Sequence, residues 1–414
     1  MKNNRLLTKA GVIFSIALLI LGSSCSKEKP KEEEKKFNIP EAYLQEAENI
    51  PPFWIASINE VDEYLKKNIR KGTYETIGTS AGGRPIQAVF YGRPRQGGGT
   101  TTYSGAVSIG NLEAYRGPDH ENTVYLGLGG VHGIELEGIM GTINLISVFE
   151  TGKDLNGQEW PEIVSMLDSI DRIVLVPLVN PDGRARLPIR MESHKGYGGD
   201  AYLAHEYLNT GGRDGGKLIG WPNVKEYIPM DFSMFEFPGG YPNDNGVNIM
   251  HDNFLGKVQP ETQMLYDLTE KEKPDLVMNM HTGVPMDNYF MQVLLPNCEI
   301  GLVPVWRDLY TSIHTKLTEE KLKKTEDLAI ETDGKDANGI AGFNLNSALN
   351  SHCGALCVTV ENTSHGYSGM YDNGDPVLRT PQDILRSELV AHQEAMKFLF
   401  RTGGRSQWDK LYGK

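Results

Sequence analysis

The chain has 414 residues, a formal net charge of −13 at pH 7, and 39% hydrophobic against 23% charged residues. Those proportions suit a globular protein with a sizeable core and exclude a mostly disordered one. So acidic a chain also argues against nucleic acid as a partner, because it repels a phosphate backbone.

Lys2, Arg5 and Lys9 precede an apolar run from Ala10 to Leu21. The run is shorter than the roughly twenty residues a membrane span needs, and its charged lead marks residues 1–24 as a secretory signal. Leu21-Gly22-Ser23-Ser24-Cys25 resembles a bacterial lipoprotein cleavage box, with Gly22 where leucine is usual. The resemblance implies a chain lipid-anchored to a bacterial membrane at Cys25, periplasmic or cell-surface. Residues 25–36, crowded with Lys and Glu around Pro30, read as a solvated tether. Removing residues 1–24 removes three positive and no negative charges, which takes the formal charge from −13 to −16.

Residues 37–414 are expected to form one domain, since a split would divide the candidate site residues from one another. In chain order, helical periodicity covers Val61–Ile69, strand-like runs cover Pro85–Tyr91 and Thr123–Leu128, and a helix is expected over Leu136–Phe149. A strand over Arg172–Val179 is followed by an irregular stretch at about 190–245, rich in Gly, Pro, Asn and aromatics. Then come a helix over Glu261–Glu272, strands over Asp275–Met280 and Tyr289–Leu295, a helix over Val305–Leu317, a strand over Ala355–Val360 and a helix over Pro381–Phe400. Strands interleaved with helices argue an α/β sandwich.

His132-Gly133-Ile134-Glu135 sits between the strand ending at Leu128 and the following helix. An imidazole and a carboxylate three residues apart share one face of a helical turn and can point at one ion. A catalytic zinc needs a third protein ligand and a position left open. His281 follows a buried strand, where open α/β sheets place their chemistry, and is the natural third ligand. Glu361 ends another apolar strand and is the candidate general base. Taken singly, each also suits a structural role; jointly they point to a hydrolytic Zn2+ site, one ion per chain.

These residues resemble the carboxypeptidase A-like zinc metallopeptidases, in which a His-x-x-Glu pair, a strand-end His before Ser or Thr, and a strand-end Glu occur in this order. The likeness covers most of the chain: Gly78–Ile86 looks like the family's early hairpin, Asn180-Pro181-Asp182-Gly183 like its turn, and Gln259-Pro260-Glu261-Thr262 like its helix opening. The resemblance implies a three-layer sandwich around a mixed β-sheet, zinc held by His132, Glu135 and His281, and Glu361 activating water at the metal.

The departures fall in the substrate pocket. Where family members carry an Asn-Arg pair that grips a substrate carboxylate, this chain has Met250 and His251 within Gly246–Phe254. Ile134 stands where many carry arginine, and residues 338–353 contain no tyrosine to clamp substrate. Arg184, Arg186 and Arg190 follow the Asn-Pro-Asp-Gly turn as candidate oxyanion donors, with Arg190 favoured, and His251 is a candidate substrate contact. The stretch 190–245 reads as a functional loop or lid able to recognise a peptide, sugar or glycopeptide. Cys298, Cys353 and Cys357 read as structural, with room for one bridge.

Three functions remain open on these grounds. The first is an extracytoplasmic zinc peptidase, metallocarboxypeptidase-like, acting on cell-wall or scavenged peptides. The second is a zinc deacylase of N-acyl amino acids or related amides, and the third is a catalytically weak peptide- or glycan-binding lipoprotein.

Overall fold

The computed structural model describes residues 37–283, 291–294, 299–322, 342–367, 373–375 and 379–413. The signal, the tether, Cys25, Cys298 and part of the segments 289–295 and 338–353 lie outside the described residues. Residues Asn38–Lys414 form one compact unit.

Among the described residues there are nine strands: β1 Thr73–Thr79, β2 Pro85–Gly92, β3 Val124–Leu128, β4 Arg172–Val176, β5 Gly212–Arg213, β6 Lys217–Leu218, β7 Leu276–Thr282, β8 Met291–Leu294 and β9 Leu356–Asn362. Seven make one mixed sheet in the order β1-β2-β4-β3-β7-β9-β8, and β5 and β6 pair separately as a small hairpin. The centre, β4-β3-β7-β9, is parallel and the edges antiparallel. Strands β3, β4 and β7 are buried at every position, as strands covered on both faces must be.

Alternate side chains feed two cores. Phe90, Leu126, Val174 and Val277 meet the helices Tyr103–Ile109, Pro260–Glu272 and Leu345–Cys353. On the other face Leu136–Thr151 packs on β7, with Val303–Glu319 and Pro381–Thr402 behind it. Leu136–Thr151 is buried nearly all round, and Gly138 makes that possible: a Cβ there would lie 2.9 Å from the Met280 carbonyl oxygen. Capping boxes Ser57/Glu60 and Thr380/Asp383 start their helices by satisfying the first free N–H groups.

The expected strands and helices are present with shifted ends. The strand expected to reach Val179 stops at Val176, because Pro177 has no N–H to give the ladder. The region 190–245 departs more. It holds a 12-residue helix, Gly199–Thr210, and the β5-β6 hairpin. That helix buries His205, Glu206, Asn209 and Thr210 together with Ala201, Ala204, Tyr207 and Leu208, so polar and apolar residues mix on its inward side and no clean apolar period reveals it. Cys353 and Cys357 are both buried, and Cys353 donates to the Leu349 carbonyl at 3.1 Å.

Candidate metal centre

The sheet brings the site together by register. In the parallel pair β7/β9, His281 lies directly opposite Glu361, so a candidate ligand and the candidate base share one face. His132 and Glu135 come from the turn that leaves β3, with Glu135 at the N-cap of Leu136–Thr151. Gly133 lets that turn approach the Asn180 turn: a Cβ would sit 2.1 Å from Arg184 N.

His132, Glu135 and His281 are all buried, with their ligand atoms within 4.8 Å of one another. The two Nδ1 atoms face each other at 3.2 Å, and each lies 2.8 Å from a Glu135 oxygen. The His132 tautomer follows from its other side. Asn248 Oδ1 accepts the Met250 N–H at 3.0 Å, which fixes that atom as oxygen. His132 Nε2, 3.2 Å away, must therefore carry the proton that it donates. With burial holding His132 in its neutral form, Nδ1 is bare and aims a lone pair at a carboxylate and a second imidazole. That arrangement calls for a cation. Tetrahedral Zn2+ with Zn–N bonds of about 2.0–2.1 Å places two nitrogens roughly 3.3 Å apart, so the donor set and spacing fit zinc.

The charges sort accordingly. Burial opposes ionisation of Glu135, yet His132 and His281 outweigh it and hold the carboxyl well below the usual range. Two imidazoles share that carboxylate, and His281, faced also by Glu361, is the one held up despite burial. Glu361 is pushed up to about 8 by its desolvated position and by Glu135 and Glu206, with His281 opposing. A carboxyl poised near neutrality is suited to taking and returning a proton.

A further ring of residues orients the first. Asn209 Nδ2 donates to Glu135 Oε1 at 3.0 Å, and Thr282 N donates to Oε2 at 3.2 Å. The Tyr241 ring stacks on His132 with centroids 3.6 Å apart and planes 11° from parallel. Gly133 N donates to Gly240 O at 3.0 Å, and Tyr241 N to Asn209 O at 3.1 Å. Part of the 190–245 stretch is thus bonded into the floor of the site. Asn209 and Tyr241 lie within the stretch 190–245 and Asn248 within Gly246–Phe254, both singled out by sequence, but the sequence assigns none of the three a role at the metal centre.

Arg190 is not brought to this centre. Its half-exposed side chain pairs with Glu60, and its backbone N–H goes to Glu46 at 2.6 Å. The other two candidates are also spent elsewhere. Buried Arg184 donates to the carbonyls of Ala56, Leu187 and Ile189, and Arg186 to Pro242 O, Gly239 O and Asp244. His251 lies beside the site against Trp221, with ring centroids 5.3 Å apart. Burial, Lys225 and His132 push its pKa to about 3, so it is neutral at physiological pH and supplies no fixed cation.

No protein-family model and no curated protein matches the sequence. Solved structures do. A protein designated a carboxypeptidase from Burkholderia mallei superposes with TM-score 0.50 at 13% identity, over 83% of this chain and 68% of that one. A metallo-carboxypeptidase from Burkholderia cenocepacia gives TM-score 0.49 at 12% identity, over 83% and 69%. Carboxypeptidase A from Helicoverpa armigera gives 0.45 at 14%, over 86% and 75%. At such identities the likeness is one of fold, and the mixed sheet with helices on both faces is the carboxypeptidase fold.

Proposed function

We propose that this protein is a zinc-dependent peptidase that hydrolyses an amide bond of a peptide outside the cytoplasm, tethered to a bacterial membrane through a lipidated Cys25. The observation that carries the metal is the bare His132 Nδ1, turned toward Glu135 and 3.2 Å from His281 Nδ1. When bound, zinc would polarise the scissile carbonyl and lower the pKa of water. His132, Glu135 and His281 would hold it. Glu361 takes a proton from the attacking water and returns it to the leaving amine, a role that its register beside His281 supports.

Met250 and His251, standing where an Asn-Arg pair would grip a free carboxylate, favour a second reading on the same residues. With no guanidinium at those two positions, the site is also compatible with deacylation of N-acyl amino acids or related amides. Incubating the zinc-loaded protein with mixed peptides, muropeptides and N-acyl amino acids, followed by mass spectrometry, separates the two. Only a peptidase releases amino acids or shorter peptides from peptides. Glu361→Gln is expected to abolish turnover while leaving zinc content unchanged; tight binding with no turnover by the wild type would instead support a capture lipoprotein.

A further inference from the structure

Adding water to an amide carbonyl places negative charge on its oxygen, and a fixed donor aimed there is typically worth about 10²–10³ in kcat. The guanidinium groups of Arg184, Arg186 and Arg190 are engaged elsewhere in this structure, by backbone carbonyls, Asp244 and Glu60.

The tyrosines offer a contrast. The buried hydroxyls of Tyr91, Tyr103, Tyr115, Tyr125 and Tyr367 are each hydrogen-bonded within the protein, to Glu150, Glu299, Glu270, His392 and the Gly283 carbonyl. Tyr241 is also buried, 8% exposed, with the His132 ring stacked on it, Trp221 at its edge, and Ile219, Val224 and Met230 in the same apolar cluster. Its hydroxyl makes no hydrogen bond to the described residues. The backbone around it is fixed: Asn180 Nδ2 donates to Tyr241 O at 3.0 Å, and Tyr241 N donates to Asn209 O at 3.1 Å. The phenol lies within electrostatic reach of both Glu135 and Glu361, which face the metal position. A protonated hydroxyl on a clamped ring beside the triad, with no acceptor among the described residues, is a preorganised donor.

We propose that Tyr241 is a catalytic residue whose hydroxyl donates to the substrate's carbonyl oxygen as water adds to the carbon. The assignment rests on the peptidase reading above. In the step, the water oxygen bonds to carbon, its proton passes to Glu361, and the C=O pair moves onto oxygen, where the Tyr241 O–H stabilises it. Collapse reforms C=O, breaks C–N, and the proton on Glu361 goes to the amine. Tyr241 itself keeps its proton throughout.

Tyr241→Phe removes the hydroxyl and keeps the ring on His132, so it isolates this role. A phosphinic analogue of the peptide that the wild type cleaves mimics the tetrahedral species. Its affinity for the zinc-loaded enzyme, by calorimetry, is expected to fall about 100-fold in Tyr241→Phe, alongside a similar loss of kcat. KM and zinc affinity should stay within twofold. Tyr241→Ala, which also removes the stack, should lose zinc affinity as well. If Tyr241→Phe binds the phosphinate and turns over within twofold of wild type, the hydroxyl has no such role. If the wild type cleaves no peptide, the peptidase reading fails first and takes this assignment with it.

Discussion

Asn248 decides which nitrogen of His132 is bare, and it does so through one oxygen shared between Met250 N–H and His132 Nε2. Removing such a partner typically costs about 10–100-fold in metal affinity. Asn248→Ala is therefore expected to weaken zinc binding by that amount in a chelator competition, and Asn209→Ala to weaken it through Glu135. Glu388 gives a residue-scale prediction of another kind. This fully buried carboxyl accepts from Asn362 Nδ2 at 3.0 Å, and burial pushes its pKa to about 8 from an ordinary 4.5. The folded state then holds a proton that the unfolded state has released. The stability it contributes is fully present below the unfolded pKa and is lost as pH rises through about 8. Glu388→Gln should flatten the denaturation midpoint against pH across that window; an unchanged slope would contradict the assignment. At this scale the sequence was informative where a residue sits in a local signature, as His132 with Glu135 does, or ends an apolar strand, as His281 and Glu361 do. It was silent on Asn209, whose partner is 74 positions away and whose role exists only after packing. Arg190 was singled out because guanidinium chemistry suits an oxyanion, while nothing in a sequence shows its pairing with Glu60.

Two turns, one carrying His132 and one carrying Asn180, pack so closely that only glycine fits between them. A Cβ on Gly133 would lie 2.1 Å from Arg184 N and 2.5 Å from Gly183 C, both backbone atoms that cannot swing aside. Gly133→Ala is expected to cost about 1–3 kcal/mol, as overpacking does, and to displace His132 enough to lose zinc. Gly98, where an added Cβ meets nothing within 4 Å, is the control: Gly98→Ala should leave both thermal midpoint and metal content unchanged. The elements easiest to read were those with one apolar face, such as Pro381–Thr402, or a fully apolar run, such as β3 and β7. The helix Gly199–Thr210 was hidden for the opposite reason. It turns histidine, glutamate and asparagine inward toward the centre, so the chemistry that makes it part of the site also erases its periodicity.

Across the whole molecule, the centre joins four separate stretches: the turn after β3, the end of β7, the end of β9, and the 190–254 region that supplies Asn209, Tyr241 and Asn248. A metal bound there links all of them, and binding stabilises the folded state by RT ln(1 + [L]/Kd), about 4 kcal/mol at a thousandfold excess over Kd. Stripping the ion with a chelator should lower the thermal midpoint by several degrees, and restoring Zn2+ should recover it; no shift would mean that the triad holds no ion in solution.

The separations within the triad also bear on the order in which the molecule is made. His132 meets Asn248 across 116 positions and His281 across 149, and Glu361 is still further along the chain. Each contact closes a long loop whose entropy must be met before it returns anything, so the parallel sheet and the insertion have to be in place before the ligands converge. Metal capture then belongs to the last stage of folding. On refolding from denaturant, far-UV ellipticity should recover before zinc uptake begins, and a nascent chain interrupted before β9 lacks the strand that flanks His281 on β7 and aligns Glu361 beside it, so it should take up no zinc.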